Sequence, residues 1–402
     1  MINKPNLIIF SGIRPTNSNK DAACFIDERY DILHQFIPNT HLYCLTTKYS
    51  YLVQKIYYFI IKKKFVDEHN LSYLPLRFEQ VFLESGLFDQ VLQRIFPKIW
   101  HNFALYHISN NLPSMNECII HAHWVYPHGY LATLLAKKYH IPCIVTAHGS
   151  DIHTIPQKNH IVKKYTLKTL NSADKVIFVS QALLDSAKEM GYSGENAVVI
   201  PNGIDMKYFY PMEKEEALKR TGWKQTKRYV VGFVGNLIPV KRVDKFVEIF
   251  SEIQKRVQEV EFILVGDGDL ADDIRLSASL SGLTVTFAGR VPHEDVCCWM
   301  NLFDVMILPS RNEGWPCVVL EAFGCGKPVV GSQNGGVAEA IGGLCPSIAE
   351  GDGFEKRFAD AVCDVLREEF PVDKKMLIER AGEHTWDKCV EKEIEVYKSL
   401  IR

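Results

Sequence analysis

The sequence has no apolar run of about 18 residues, no Cys-x-x-Cys pair and a net charge of only −2. The first absence argues against a membrane-spanning helix. The second, with 11 scattered cysteines, is typical of a reducing cytosol and not of a disulfide framework. The small net charge gives no support for nucleic-acid binding. The first ten residues lack a small-residue cleavage site, so they predict a first strand, not an export signal.

What is present is typical of a soluble globular protein: 47% hydrophobic and 23% charged residues in a chain of 402. At about 100–200 residues per domain, this length predicts two or three domains. Residues 1–205 carry 20 Lys and Arg against 16 Asp and Glu and hold 12 of the 14 His, whereas 206–402 carry 26 against 32. This asymmetry indicates two domains with different ligands, or a chance difference between two solvated surfaces.

Short β-branched runs alternate with longer amphipathic stretches along the whole chain. Because the runs are nearly all apolar, they predict parallel strands buried on both faces, in an α/β fold with doubly wound sheets. The predicted strands are 7–10, 41–45, 118–123, 143–148, 175–180 and 197–201, then 229–235, 261–266, 285–289, 305–309 and 328–332. The predicted helices include 129–139, 161–170, 181–190, 242–257 and 269–281.

The two strand series meet at Pro201-Asn202-Gly203, a turn signal. We place a domain boundary near Asp205. Ligands bind at the carboxyl ends of the strands in doubly wound sheets, so a cleft between two such domains is the expected site. Residues 384–402 predict a last helix, with Trp386 near its start, that can pack back on the N-terminal domain.

Three loops of the second half follow predicted strands and carry candidate ligand contacts. Glu313 lies in one loop, and Glu321 lies eight residues later, about two helical turns on. The turn between them offers free N–H groups and a helix dipole to an anion. Lys241, in a second loop, is a candidate phosphate contact. The third loop, 266–269, reads Gly-Asp-Gly-Asp, for which close approach to a phosphate is favoured over a divalent-cation site.

The segment from Glu313 to Glu321 resembles the E-x7-E motif of glycosyltransferase family 4, retaining enzymes of the GT-B fold. Further matches cover nearly the whole chain in the same order, each weak alone and specific together. They are 199–205, 233–237 with Lys241, 264–268, 285–291, 304–310 and 326–332. The segments 122–129 and 147–151 are most similar to members that build bacterial surface polysaccharides.

This resemblance implies two GT-B domains, 1–205 binding the acceptor and 206–383 binding a nucleotide sugar, followed by the helix 384–402. Lys241 would contact the diphosphate, Glu313 the hydroxyls of the donor sugar and Glu321 the ribose. The main chain at Arg290 and Val291 would hold the base. Further donor contacts are expected at the positions Gly12, Asn236, Arg242, Gly314, Trp315 and Pro316.

Two departures from the family pattern affect these expectations. Asn236 stands where the family usually has a basic residue, so that one of two cationic diphosphate contacts is missing or is replaced by Arg242 or Arg311. The loop after the first strand is also a poor match to the glycine-rich loop of the family, which weakens the transfer of a donor contact to Gly12.

Histidines are concentrated between residues 121 and 160. A metal cluster must be considered, but the spacing favours core and surface histidines, and we predict no metal site. His148 differs from the others, since it closes a predicted strand at its carboxyl end. The resemblance implies that His148 contacts the donor sugar or stabilises developing charge. His123 and Asp151 are candidate contacts of the acceptor.

The segment 51–65 combines aromatic and aliphatic residues with Lys55, Lys62, Lys63 and Lys64. A basic amphipathic segment can lie on an anionic membrane, which would suit a lipid-linked acceptor. The alternative, a surface helix that buries its apolar face in the N-terminal domain, is the more common case. Both interpretations remain open.

The sequence therefore predicts a cytoplasmic, retaining glycosyltransferase that uses a UDP-sugar, with a GDP-sugar as the second choice, and a sugar or lipid-linked hydroxyl acceptor. We expect no required cofactor or metal and no nucleic-acid partner. Contact with the inner face of the cell membrane would be peripheral. A catalytically weakened sugar-nucleotide-binding protein, suggested by Asn236, and a GT-B epimerase are the alternatives, since fold alone does not determine function.

Overall fold

A computed structural model describes residues 6–11, 24–48, 78–84, 97–112, 115 and 117–401. These residues divide between two compact units. Unit 1 lies within Met1–Val179, Leu183–Ile200 and Val390–Arg402, and unit 2 comprises Ser180–Ala182 and Pro201–Cys389. The chain thus passes into unit 2 after Ile200, five residues before the predicted boundary at Asp205, and returns to unit 1 at Val390. The last helix begins in unit 2 and ends in unit 1.

Unit 1 contains a parallel sheet of seven described strands in the order β3-β2-β1-β4-β5-β6-β7. The strands are β1 (Asn6–Ser11), β2 (Thr40–Lys48), β3 (Phe78–Glu84), β4 (Cys118–His123), β5 (Cys143–Ala147), β6 (Lys175–Phe178) and β7 (Ala197–Val199). Every residue of β4 and of β5 is buried, as expected where helices cover both faces. The strand order reverses between β1 and β4, which makes the carboxyl ends of these two strands the switch point of the sheet.

Unit 2 contains a parallel sheet of six strands in the order β10-β9-β8-β11-β12-β13. The strands are β8 (Tyr229–Val234), β9 (Val260–Val265), β10 (Val285–Gly289), β11 (Val305–Leu308), β12 (Val329–Ser332) and β13 (Ser347–Ile348). Here the order reverses between β8 and β11, which are paired in parallel through Val305 and Val231. The loops that follow β8 and β11 therefore share the position where doubly wound sheets bind ligands.

Helices separate the strands in both units. In unit 1 they are α1 (Cys24–Phe36), α2 (Pro97–Asn111), α3 (Tyr130–Tyr139), α4 (Ser150–His153), α5 (Ile155–Lys158), α6 (His160–Ser172) and α7 (Gln181–Met190). Unit 2 adds α8 (Lys214–Thr221), α9 (Phe246–Arg256), α10 (Ala271–Leu280), α11 (His293–Met300), α12 (Cys317–Gly324), α13 (Val337–Ile341), α14 (Phe354–Leu366), α15 (Lys374–Gly382) and the first residues of α16 (Trp386–Leu400). None of the described helices is long and apolar enough to cross a bilayer.

The predicted α/β class, with two doubly wound parallel sheets, is confirmed. All eleven predicted strands are present within a few residues, whereas β3 and β13 were not predicted. The predicted helix 242–257 begins at Phe246 instead, because Arg242 is left-handed (φ 57°) and cannot continue a helix from the loop. Helix α9 then buries Phe246, Ile249, Phe250 and Ile253 at the spacing of one helical face.

Candidate functional site

Two side chains 72 residues apart in sequence meet at the switch point of unit 2. The Nζ atom of Lys241 lies 2.6 Å from Oε1 of Glu313. Lys241 ends a short 3₁₀ turn, Pro239–Lys241, in the loop after β8, and Glu313 lies in the loop after β11. The side chains of Lys241 and Glu313 are 18% and 14% exposed, so the ion pair is mostly buried but keeps some contact with solvent. The structure thus brings together Lys241, the predicted diphosphate contact, and Glu313, the predicted contact of the donor sugar.

The loop that carries Lys241 is fixed by close contact with the loop after β9. Gly266 has φ +130°, and a Cβ built there would lie 2.0 Å from the carbonyl oxygen of Gly235. A Cβ at Gly268 would lie 2.5 Å from the oxygen of Leu237, whose N–H donates to Asp267. The glycines of the Gly-Asp-Gly segment therefore serve to pack two backbones together. The predicted approach of these glycines to a phosphate stays a prediction.

The backbone around Glu313 is held by the loop after β12. Gly335 has φ +57°, and a Cβ there would lie 2.1 Å from the oxygen of Glu313. The N–H of Gly336 donates to that same oxygen at 2.9 Å. One step earlier, the hydroxyl of Ser332 donates to the oxygen of Ser310 at 2.6 Å. These contacts orient the Glu313 side chain before any ligand arrives.

The two arginines considered as replacements for a missing cation are occupied within unit 2. Arg242 is 7% exposed, donates to the oxygen of Pro309 at 2.9 Å and contacts Glu350. Arg311 forms two 2.7 Å hydrogen bonds with Asp244, which lowers the pKa of that carboxyl. These contacts give both arginines a role in holding loops together. Arg242 or Arg311 can contact the diphosphate of a sugar donor only if these ion pairs open. Asn236, which occupies the position of the missing cation, is exposed.

The loop after Glu313 leads directly into helix α12. Pro316 precedes the helix, and no side chain of the described residues caps it, so the N–H groups of its first turn face the loop. Gly314 is buried. The ring of Trp315 is 9% exposed and packs 5.4 Å from the ring of His384, which gives this side chain a packing role. The predicted donor contacts of Gly314, Trp315 and Pro316 can then involve only their main chain.

Glu321 projects from α12 toward the start of α11. Its Oε1 atom lies 3.5 Å from Nε2 of His293, the first residue of that helix. Arg290 and Val291 lie in the segment between β10 and His293, where Arg290 is exposed. The structure thus brings Glu321 beside the segment predicted to hold a base. The contact with His293 was not predicted from the sequence.

In unit 1, three histidines of β4 and of the loop after β5 form a contiguous group. His121 and His123 point to the same face of β4, with ring centres 4.7 Å apart. Nδ1 of His123 lies 2.9 Å from Nε2 of His148, which directly follows β5. His121 and His123 are fully buried. Burial holds the pKa of all three imidazoles well below the ordinary 6.5, so they are neutral at neutral pH.

A buried polar chain continues from these histidines to α16. His121 shares hydrogen bonds of 2.7 Å with the hydroxyls of Tyr397 and Thr146. Glu393 lies one turn before Tyr397, is fully buried and faces Arg29 at 3.4 Å. This series of buried polar contacts was not predicted, although a pattern in the sequence of α16 indicates it. A carboxylate and a tyrosine occupy the apolar face of α16 at positions that otherwise carry Trp386, Cys389 and Val390.

Asp151 and His123 need correction as direct acceptor contacts. Asp151 is 3% exposed, and its oxygens accept hydrogen bonds from the N–H groups of Val125, His148 and Gly149 at 2.8–3.1 Å. It therefore fastens the loop after β5 to the loop after β4. His123 is 0% exposed, and its Nδ1 is engaged with His148. Neither side chain reaches a dissolved acceptor in this conformation, because both face the interior of unit 1.

Some predictions fall on parts of the chain that the structure does not describe. Gly12 and the segment 51–65, with its lysines, lie outside the described residues. Within the described residues, no group of three or more His, Cys, Asp or Glu side chains is arranged to hold a metal ion. The histidines between 121 and 160 that group together do so through hydrogen bonds and ring contacts.

Two protein-family models match the chain and together span more than half of it. A model described as "Glycosyltransferase Family 4" matches residues 93–208. A model described as "Glycosyl transferases group 1" matches residues 228–368. The first match lies mostly in unit 1 and ends just inside unit 2, and the second lies within unit 2. The second match contains Lys241, Glu313 and Glu321.

Individual relatives agree with these models. The chain is 33% identical over 226 residues to "Putative teichuronic acid biosynthesis glycosyltransferase TuaC" of Bacillus subtilis, which covers 56% of this chain and 55% of that relative. It is 29% identical over 299 residues to "Uncharacterized glycosyltransferase MJ1178" of Methanocaldococcus jannaschii, covering 72% of this chain and 78% of the relative. The first match thus spans little more than half of the relative's length.

A solved structure shares the fold over almost the full chain. Anabaena Alr3699/HepE, crystallised in complex with UDP and glucose, superposes with a TM-score of 0.70. The superposition covers 98% of this chain and 100% of that protein, at 18% sequence identity. At this identity the likeness establishes the fold only.

Proposed function

The chain belongs to the family 4 glycosyltransferases of the GT-B fold, and we propose that it moves a sugar from a nucleoside diphosphate sugar to a hydroxyl acceptor with retention of anomeric configuration. UDP is the favoured nucleotide. The acceptor belongs to bacterial surface polysaccharide or glycolipid synthesis, in the cytoplasm. The observation that carries this proposal is the Lys241–Glu313 pair at the switch point of unit 2.

The pair suits a donor that is both an anion and a polyol. A diphosphate that leaves a sugar gains negative charge, and an ammonium group together with helix N–H groups stabilises that charge. A carboxylate accepts hydrogen bonds from sugar hydroxyls. On donor binding, Lys241 turns from Glu313 to the diphosphate, and Glu313 becomes free for the sugar. The ion pair holds both groups near their working positions until then.

The remaining roles follow from position around this pair. Glu321 accepts hydrogen bonds from the ribose, and the main chain at Arg290 and Val291 contacts the base beside it. The main-chain N–H groups from Gly314 onward assist at the diphosphate. His148, neutral because of its burial, donates to or accepts from an oxygen of the sugar or the acceptor. The mechanism assigns leaving-group charge to Lys241 and to backbone dipoles and requires no metal.

UDP is favoured over GDP because a relative from Escherichia coli, 28% identical over 299 residues, is named a UDP-Gal-using galactosyltransferase. Another relative is named a GDP-mannose-dependent mannosyltransferase, of Corynebacterium glutamicum, so the base must be tested. The name of TuaC includes teichuronic acid biosynthesis, which supports an acceptor in a surface polymer. The lysines of segment 51–65 are proposed to bring the protein to an anionic membrane. Reduced co-sedimentation of a Lys62/Lys63/Lys64→Glu variant with anionic liposomes is expected, and unchanged binding would refute this contact.

The proposal is tested by incubating the protein with a panel of UDP- and GDP-sugars, with and without polyol or lipid-linked acceptors. Nucleoside diphosphate release and product anomers are read by NMR. We expect release from one nucleotide series and a product with the donor's anomeric configuration. An inverted product would refute retention. Binding without any turnover would favour the catalytically weakened sugar-nucleotide-binding protein. The exposed Asn236 and the ion pairs of Arg242 and Arg311 make this the specific alternative. Release of an altered free sugar would favour an epimerase.

A further inference from the structure

Two contacts, one helical turn apart, join helices α11 and α12 beside the predicted ribose contact. In the first, Nε2 of His293 lies 3.5 Å from Oε1 of Glu321. In the second, the Sγ atoms of Cys297 and Cys325 lie 3.7 Å apart. Cys297 follows His293 by four residues, and Cys325 follows Glu321 by four. Because residues four apart lie on the same face of a helix, a displacement at the cysteines is transmitted to the contact of Glu321.

The two thiols are free and buried, and one of them lies close to the surface. Cys297 and Cys325 are each 2% exposed. The Sγ atom of Cys297 also lies 3.5 Å from the main-chain oxygen of Tyr210, a residue that is 38% exposed. Cys297 is thus one residue below the surface of unit 2. A small, uncharged oxidant can reach its sulfur through a local opening of the structure.

The contacts of Cys297 make it the more reactive of the two thiols. The hydrogen bond between the sulfur atoms lowers the pKa of Cys297 and raises the pKa of Cys325, which burial raises further. The Nδ2 group of Asn301 donates to the Cys297 sulfur at 3.4 Å and adds to the stabilisation of a thiolate there. The thiolate is the form of cysteine that attacks an oxidant. Cys297 is therefore the attacking sulfur, and Cys325 lies in contact with it as the second sulfur of a disulfide.

We propose that Cys297 and Cys325 form a reversible disulfide, with a hydroperoxide as the oxidant, and that this disulfide weakens nucleotide binding at Glu321. The Cys297 sulfur attacks a peroxide oxygen, the O–O bond breaks, and the products are a Cys297 sulfenic acid and water or an alcohol. The Cys325 sulfur then attacks the Cys297 sulfur, the S–O bond breaks, and water leaves with the Cys325 proton. The two thiols together lose two electrons and two protons, and one hydroperoxide is reduced.

Closing this bond changes the geometry of the neighbouring contact. Bonded sulfur atoms are closer than 3.7 Å, so oxidation draws the end of α12 toward α11 at this turn. Glu321 lies one turn away and moves relative to the segment of Arg290 and Val291. This consequence rests on the proposed function, because it uses the ribose contact assigned there to Glu321. The disulfide itself does not depend on that assignment. Disulfides that form in a reducing cytosol are typically transient and act as redox sensors.

Peptide mapping tests the disulfide without any measurement of activity. The folded protein is treated with hydrogen peroxide, free thiols are blocked with N-ethylmaleimide, and tryptic peptides are analysed by mass spectrometry. We expect peptide 291–311 to be linked to the following peptide, 312–356, with fragment ions that assign the link to Cys297 and Cys325. The link should disappear after reduction with dithiothreitol. A link through Cys298 or Cys317, or oxidation of Cys297 without a link, would overturn the proposal.

Titration calorimetry with the nucleoside diphosphate of the active donor series tests the consequence for binding. Affinity should fall by about fivefold in the oxidised wild type and return after dithiothreitol. Cys325→Ser and, from the other helix, Cys297→Ala should bind as the reduced wild type does and should not respond to peroxide. Cys363→Ser, which removes a buried cysteine of α14, is the matched control and should respond as the wild type does. Unchanged affinity in a wild type that carries the disulfide would refute the link to nucleotide binding.

Glu321→Gln tests whether the effect passes through Glu321. In this variant, oxidation should change the affinity by less than about twofold, because the carboxylate that the disulfide displaces is gone. A full fivefold loss in Glu321→Gln would contradict the proposed route. A failure of the proposed function has a different signature. If the wild type binds no nucleoside diphosphate in either redox state, the proposed function fails, whereas the peptide map still decides whether the disulfide forms.

Discussion

The candidate residues of the two units differ in how they are kept from water. In unit 2, Lys241 and Glu313 are about one sixth exposed and form an ion pair at 2.6 Å. In unit 1, His121 and His123 are fully buried, and the burial that lowers their pKa removes their charge. The candidate residues of unit 2 therefore suit an anionic ligand, whereas those of unit 1 suit neutral donors and acceptors of hydrogen bonds.

Physical cost explains this division. Burying an ion without a partner costs several kcal/mol, so a buried histidine gives up its proton. An ion pair that keeps some contact with water can exchange its partner for a ligand at lower cost than a fully buried pair. A diphosphate needs the second arrangement.

The largest expected effect is on catalysis in unit 2. Lys241→Met removes the ammonium assigned to the leaving diphosphate, and kcat/KM should fall by about 10²–10³-fold. Lys245→Met, four residues on, removes a lysine whose partner is the surface residue Glu248, and should change kcat/KM by less than about twofold. Steady-state kinetics with the active nucleotide sugar compare the two. Equal losses would show that the charge acts at long range and not at the site.

A similarly large effect is expected on the stability of the unit 2 loops. Gly266→Ala places a Cβ 2.0 Å from a backbone oxygen at a φ of +130°, and should cost about 3 kcal/mol of unfolding free energy. Gly382→Ala, where a Cβ meets no atom of the described residues within 4 Å, should be near neutral. Urea denaturation measures both variants. Equal stability of the two would mean that the loops after β8 and β9 do not need their close contact.

The buried histidines of unit 1 predict a loss of stability in acid. The pKa of His101 is lowered from 6.5 to about 4 by burial, with Lys168 adding to the effect. Between these values the unfolded chain binds more protons, so stability is fully present above pH 6.5 and decreases as pH falls toward 4. Each such histidine contributes a slope of up to about 1.4 kcal/mol per pH unit.

The buried carboxyls Asp151 and Glu393 act in the opposite sense, since burial raises their pKa values. His101→Phe isolates the histidine effect, because the ring remains among Tyr126, Tyr130 and Tyr165 without titrating. The difference in unfolding free energy between the wild type and this variant should change with pH from 6.5 to 4. A constant difference would show that His101 takes up its proton at the same pH in the folded protein as in the unfolded chain.

The smallest effect is expected at the ribose contact. Glu321→Gln keeps the shape of the side chain and an acceptor oxygen, so the donor KM should rise by about fivefold with kcat little changed. The uncharged Gln also weakens the contact with His293. A fall of kcat as large as that of Lys241→Met would place Glu321 at the reacting bond and not at the ribose.

Most of the fold was predictable from the sequence, because buried parallel strands appear in it as short apolar runs. It missed β3, an edge strand with Glu79, Gln80 and Glu84 in seven residues, and β13, which has only two residues. Periodicity detects neither a polar edge strand nor a two-residue bridge. In unit 2 the meeting of Lys241 with Glu313 was predictable, since both follow strands that flank the switch point.

The polar interior of unit 1 was less predictable. The hydrogen bonds of His121 depend on Tyr397, 276 residues later, and that of His123 depends on His148, which lies in another loop. Asp151 has the position of a site residue in sequence, but its carboxylate serves three N–H groups of neighbouring loops. The roles of Arg242 and Arg311 likewise depended on partners, Glu350 and Asp244, that spacing does not reveal.

The central claim is that Lys241 leaves Glu313 for a diphosphate. Titration calorimetry with UDP alone tests it most directly, because UDP lacks the sugar that Glu313 would hold. UDP affinity should fall about tenfold or more in Lys241→Met and should be kept or increased in Glu313→Gln, where no carboxylate competes for the ammonium group. If both variants bound UDP as the wild type does, or if Glu313→Gln lost binding as Lys241→Met does, the account would be contradicted.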